Sequence, residues 1–195
     1  MTIKMARLAA GTAVAGVLAL GAWMTSEGSG WVNPADARAL ANPASSASLM
    51  PTSTDSPAEL DVPAWGESFS VVPVSLSADR ALIPPDPLDT VGWWDAGAAP
   101  GSGQGAVTLV VHRDSVEQGP GPFAALEDLP AGSSITLDGV AYQVLDITEY
   151  GRYDLPAEMI FDQGGPEKLV IVTCGGDFDP GSGWDSNVVA TFAPA

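Results

Sequence analysis

From Pro57 onward the apolar runs of the chain are short, rich in Val, Ile and Thr, and stopped by turn-forming residues. They read SFSVVPVSL, AVTLVVH, SSITLDG, VAYQVLDIT, KLVIVTC and NVVATFA. Side chains branched at Cβ suit a pleated, half-buried surface better than a helix. Asp138–Gly139, between the third and fourth runs, is a pair suited to a tight hairpin turn. Six or more strands in this span predict an all-β domain, closed or nearly closed into a barrel, because closure removes exposed strand edges. Only residues 121–129 (GPFAALEDL) read as helical, so the barrel carries one or two short helices.

The N-terminal part has a different composition. Lys4 and Arg7 precede an uncharged run over residues 8–24. Its 17 residues fall a little short of spanning a hydrocarbon core of about 30 Å. The run reads as an uncleaved membrane anchor in preference to a cleaved secretory signal. Either way, the basic residues ahead of it place the rest of the chain outside the cytoplasm. The expected location is the cell membrane, single-pass, or the exterior after signal cleavage. Residues 25–56, rich in Ala, Ser, Pro and Gly, lack a periodic apolar pattern and read as a flexible linker. The folded domain is then 57–195.

The chain holds 24 acidic and 7 basic residues, a net charge of −17. Such a surface repels polyphosphate, so nucleic acid is not an expected partner. A single Cys allows no intramolecular disulfide, and one Cys with one His does not make a protein-only structural zinc site. The carboxylates are dispersed and no DxDxDG loop is present, so neither a metal nor another cofactor is expected.

The only histidine, His112, and the only cysteine, Cys174, end two of the valine-rich runs. Adjacent strands ending at one rim bring such residues together. A free thiol is mostly protonated at neutral pH. An imidazole beside it serves as its general base or as its ion-pair partner, and later returns a proton to a leaving group. This pairing performs acyl transfer through a thioester. The glycines after the cysteine, Gly175 and Gly176, read as room for a peptide backbone, and the amides of that stretch as oxyanion donors.

Three stretches together resemble the sortases, cysteine transpeptidases of the Gram-positive cell surface, and most closely the actinobacterial class F, with class E its near neighbour. They are LIPPD…GWWDAGAAPGSGQGAVTLVVHRDS, GPGPFAALEDLPAGSSITLDGVAYQV and LVIVTCGGDFDPGSGWDSNVVATFA. The resemblance covers essentially the whole folded part. It implies an eight-stranded sortase barrel, Cys174 as nucleophile, His112 as acid/base and Thr173 on the family threonine. It further implies a Leu-Pro-x-Thr-Gly-like sorting signal of surface proteins as substrate. The acceptor would be an amine of a cell-wall precursor or pilin, with slow peptide hydrolysis when water replaces it.

In well-known sortases an arginine follows the cysteine by about a dozen residues. Here residues 175–195 contain no arginine or lysine, and the spacing lands on Asn187. Asn187, able to donate an amide N–H to an oxyanion, is the first candidate for that role, and Arg152 the second. Arg80 lies in an early turn far from either motif. Arg113 adjoins His112, and strand alternation points the two side chains to opposite faces. Asp114 is a candidate to orient His112, with turn formation as its alternative. Trp94 and Trp184, with Trp93, are candidates to line a peptide groove or to pack the core and rim. The missing arginine leaves a second reading open, a surface protein that binds peptides without turnover.

Overall fold

The computed structural model describes residues 3–4 and 56–195. The expected anchor and most of the expected linker lie outside the described residues. Among those described, no helix is long and apolar enough to cross a membrane.

Eight strands make the domain: β1 Glu59–Val62, β2 Glu67–Val74, β3 Thr90–Trp94, β4 Ala106–Val110, β5 Ser134–Leu137, β6 Val140–Gly151, β7 Lys168–Asp179 and β8 Gly183–Pro194. They close into a barrel in the order β6-β8-β7-β4-β3-β2-β1-β5. Each of the six apolar runs contains a strand. The two further strands, ELDV and TVGWW, carry a carboxylate or a glycine that masks their pattern in sequence. Their burial comes from their barrel neighbours. The 121–129 stretch forms a 3-10 helix over Pro122–Asp128, and the only α-helix among the described residues, α1, is Ala157–Ile160. Asp138 and Gly139 both take positive φ, 48° and 80°, as the two-residue turn joining β5 to β6 requires. Outside the barrel, Ile3–Lys4 pairs with Ala81–Leu82, and Asp114–Ser115 with Gly119–Pro120.

Alternation along the strands divides the apolar residues between two cores. Leu169 and Ile171 of β7 face inward with Leu109, Tyr142, Val188 and Phe192. Val170 and Val172 face outward and pack with Val189, Leu155 and Ile160. The outer cluster is what α1 covers, and the Thr108 hydroxyl ties it down by donating to the Ile160 carbonyl at 2.6 Å. The barrel wall is therefore buried on both faces along β4 and β7. Both strands read as unbroken hydrophobic runs for that reason.

Candidate active site

β4 and β7 run parallel, with Lys168 beside Ala106 and Val172 beside Val110. The pairing continues past the end of β4, where Val111 N–H donates to the Val172 carbonyl at 3.1 Å. The buried Thr173 hydroxyl returns a bond to the Val111 carbonyl at 3.2 Å. One residue further, the same register sets His112 abreast of Cys174. On the other side of β7, Cys174 pairs directly with Asn187 of β8. A direct cross-strand pair shares a face, and Cys174 lies on the outward face that carries Val170 and Val172. His112, Cys174 and Asn187 thus form a row across three strands. Thr173 faces the other way and fastens the two strand ends that carry the histidine and the cysteine.

The row extends to β6. Tyr150 pairs with Asn187, and Arg152 N–H donates to the Asp185 carbonyl at 2.8 Å, continuing the ladder by two residues. Tyr150 packs on the outer cluster, so alternation carries Arg152 to the same outward face. Arg152 Nη2 is buried and without a hydrogen-bond partner among the described residues. No carboxylate of the described residues pairs with it, in a chain crowded with carboxylates. Arg113 is different. Its guanidinium pairs with Glu127 at 2.8 Å, lies 5.0 Å over the Trp184 ring and donates to the Cys174 carbonyl at 3.5 Å. It is committed to the β7–β8 end of the barrel, away from the His112 face. Arg80 sits in its turn at a φ of 58°.

Burial dominates the electrostatics. It pushes the Cys174 thiol up to about 11, although Arg152 and Arg113 favour the thiolate. It also lowers His112 below its ordinary value, against the opposing pull of Asp86 and Asp114. Both shifts disfavour charge, so the resting pair is neutral thiol and neutral imidazole. The imidazole does not overcome the desolvation of the thiol.

The remaining sequence candidates take different places. Asp114 Oδ1 accepts from Trp184 Nε1 at 2.9 Å, and its charge favours the protonated form of His112 without a hydrogen bond to the ring among the described residues. The carboxylate beside His112 Nε2 belongs to Asp86, at 3.7 Å, a residue that spacing alone did not single out. Trp93 is in the inner core, its Nε1 donating to the Ala98 carbonyl. Trp94 packs edge-on against Phe161 on the outer face. The two glycines are required by crowding within the fold. A Cβ on Gly175 would lie 2.7 Å from Val188 Cγ2, and one on Gly176, at a φ of +75°, 2.1 Å from Asp185 Oδ1. The β7–β8 ladder shifts register just beyond them.

Two residues down from Cys174 and His112, on the same face, Val172 and Val110 floor a small apolar cavity. Leu82, Leu155, Ala157, Ile160 and Phe161 complete its lining. Two residues of strand span about 7 Å, so the cavity lies within reach of a peptide whose carbonyl meets Cys174. Among the described residues no group of three His, Cys, Asp or Glu side chains is arranged to hold a metal ion.

The model of the Sortase domain family matches residues 60–194. No curated protein matches the chain in sequence. Among solved structures, sortase C of Streptococcus pneumoniae aligns at 15% identity and a TM-score of 0.51, covering 70% of this chain and 64% of that one. The chain therefore spans under two thirds of that relative's length. Sortase D5 of Clostridium perfringens, described as a transpeptidase, aligns at 15% identity and a TM-score of 0.52, covering 72% and 79%. Sortase A of Listeria monocytogenes aligns at 16% identity and a TM-score of 0.51, covering 72% and 88%. At these identities the likeness is one of fold.

Proposed function

The chain belongs to the sortase family, and from that premise we propose that it is a cysteine transpeptidase of the actinobacterial class F type. It is anchored by its N-terminal segment and acts outside the cytoplasm on a Leu-Pro-x-Thr-Gly-like sorting signal. The observation that supports this reading best is the row of His112, Cys174 and Asn187 on one face. Arg152 is carried to the same face, and the apolar cavity lies beside them.

In this reading Cys174 Sγ attacks the threonine carbonyl carbon, forming the C–S bond while the thiol proton passes to His112. Arg152, its Nη2 buried and without a hydrogen-bond partner among the described residues, supplies the positive charge that the developing oxyanion needs, and the Asn187 amide adds an N–H. The C–N bond breaks as His112 gives its proton to the departing amine. A second amine then attacks the thioester carbonyl, His112 takes its proton, and Cys174 leaves as the thiol. The acceptor is an amine of cell-wall precursor or pilin type, and with water in its place the same steps give hydrolysis. The aliphatic residue of the signal docks on Val110, Val172 and Leu82.

The alternative of a binding module without turnover drew on the absence of an arginine after the cysteine. An unpaired arginine arriving from β6 weakens that ground. The test is to incubate the full chain with a Leu-Pro-x-Thr-Gly peptide and a glycine-based amine and follow products by mass. The ligated product is expected from the parent and not from Cys174→Ala. Peptide bound by both proteins and converted by neither would favour the binding module.

A further inference from the structure

The segment that follows the Ala81–Leu82 bridge reads Ile83-Pro84-Pro85-Asp86-Pro87. Three prolines fix most of its φ angles, so it crosses the barrel as a stiff lip. Its seat is specific. The outward side of Gly92 in β3 leaves room for no Cβ, because Pro85 Cδ, Val110 Cγ1 and Val74 Cγ1 all lie 3.0 Å from that position. Val110 is two residues before His112 on the same face. Beyond the lip, Thr90 N–H donates to the Pro87 carbonyl at 2.9 Å and returns the chain to β3. The lip is thus fastened directly below the imidazole, and Leu82 at its start already walls the apolar cavity.

Two groups of the lip meet His112. Asp86 Oδ1 lies 3.7 Å from Nε2, which is itself buried and has no hydrogen-bond partner among the described residues. The Pro84 carbonyl also favours the protonated ring. The Asp86 side chain is 94% exposed, so its carboxylate keeps its water while presenting one oxygen to the imidazole. The other groups near the ring are Asp114, engaged with Trp184 Nε1, and the Cys174 thiol abreast of it.

We infer that Asp86 is a positioning residue for His112, a carboxylate carried on a proline-stiffened lip that stabilises the imidazolium and holds Nε2 toward the peptide groove. The inference rests on the transpeptidase reading for its consequence. Its physical core, the coupling of Asp86 to His112, is independent of any substrate.

The chain has a single histidine, so one imidazole signal in the NMR spectrum reports it without ambiguity. We would titrate the full chain, isotopically labelled at histidine, as parent, Asp86→Asn and Asp86→Glu. The midpoint of His112 should fall in Asp86→Asn and return most of the way in Asp86→Glu. In peptide turnover, the plateau of kcat/KM should drop about two- to fivefold in Asp86→Asn, the size expected of an exposed ion pair. Its acid limb should move to lower pH, so that the two profiles converge below it. An unchanged His112 midpoint in Asp86→Asn overturns the proposal. So does a drop in kcat/KM that is uniform across pH, which marks a merely structural effect. Should no peptide turn over even with the parent, the titration alone still decides between coupling and none.

Discussion

Cys174 and Asn187 are direct partners across the β7–β8 ladder, both almost fully buried and on the same face of the barrel wall. The position that the sortase resemblance assigns to an arginine therefore holds a neutral amide, and in the proposed mechanism the charge comes from Arg152, just past the end of β6. Arg152 continues the β6–β8 ladder two residues beyond Tyr150, itself the partner of Asn187. Its guanidinium is close enough to Cys174 to favour the thiolate.

This division of labour predicts unequal losses. Arg152→Ala should lower kcat/KM by about 10²- to 10³-fold, the usual cost of removing an oxyanion group. Arg152→Lys should recover part of it, keeping the charge and losing the planar fork. Asn187→Ala should cost about tenfold. Steady-state peptide cleavage measures all three, and a larger loss in Asn187→Ala than in Arg152→Ala reverses the assignment.

Thr173 predicts a coupled loss of stability and rate. Its hydroxyl ties together the strand ends that carry His112 and Cys174. Thr173→Val keeps the shape and leaves the Val111 carbonyl without that donor, at a cost of about 1 kcal/mol. The urea midpoint should fall accordingly, and kcat should fall further than KM rises, because the pair is loosened and the groove is not.

The protonation states predict the course of thiol chemistry. With Cys174 pushed up to about 11 by burial, alkylation by iodoacetamide near neutral pH should be slower than that of free cysteine. It should climb steadily into the alkaline range. Arg152→Ala removes a charge that favours the thiolate, so its profile should lie further to alkaline pH. For turnover, lowered His112 and raised Cys174 predict a broad plateau of kcat/KM. Activity should be lost in acid as His112 becomes protonated and no longer accepts the thiol proton, and in strong alkali once Cys174 has lost the proton that His112 passes to the departing amine.

The apolar cavity predicts a binding effect. Ala157 is the smallest of its lining residues, so Ala157→Phe fills the cavity from the α1 side. KM for the peptide should rise about tenfold with kcat nearly unchanged, the mark of lost uniform binding. A change confined to kcat would place the aliphatic side chain elsewhere.

Much of this arrangement was legible in the residues. Valine-rich runs punctuated by Gly and Asp-Gly specify strands whatever the neighbours, and the unique His and Cys stand at two strand ends. Asn187 was reachable because the sortase resemblance sets an arginine about a dozen residues after the cysteine, and that spacing lands on it. Arg152 was a weaker sequence candidate because its face depends on the β6–β8 register, a long-range property. Asp86 escaped because nothing local in IPPDP says which strand end it crosses. Gly175 and Gly176 were read for a substrate backbone, yet Val188 and Asp185 occupy the space beside them. The upward push of burial on the Cys174 thiol was also not legible, since desolvation is set by packing that no motif records.

The central claim is that Cys174 carries the acyl group. Mixing the full chain with a Leu-Pro-x-Thr-Gly peptide, quenching in acid and mapping the protein by mass spectrometry tests it directly. The account predicts a thioester of the fragment ending at threonine on Cys174. The adduct should be absent from Cys174→Ala, discharged by added amine, and accumulated without discharge when amine and water attack slowly. Cleavage of the peptide that persists in Cys174→Ala, with no adduct on the parent, would contradict it.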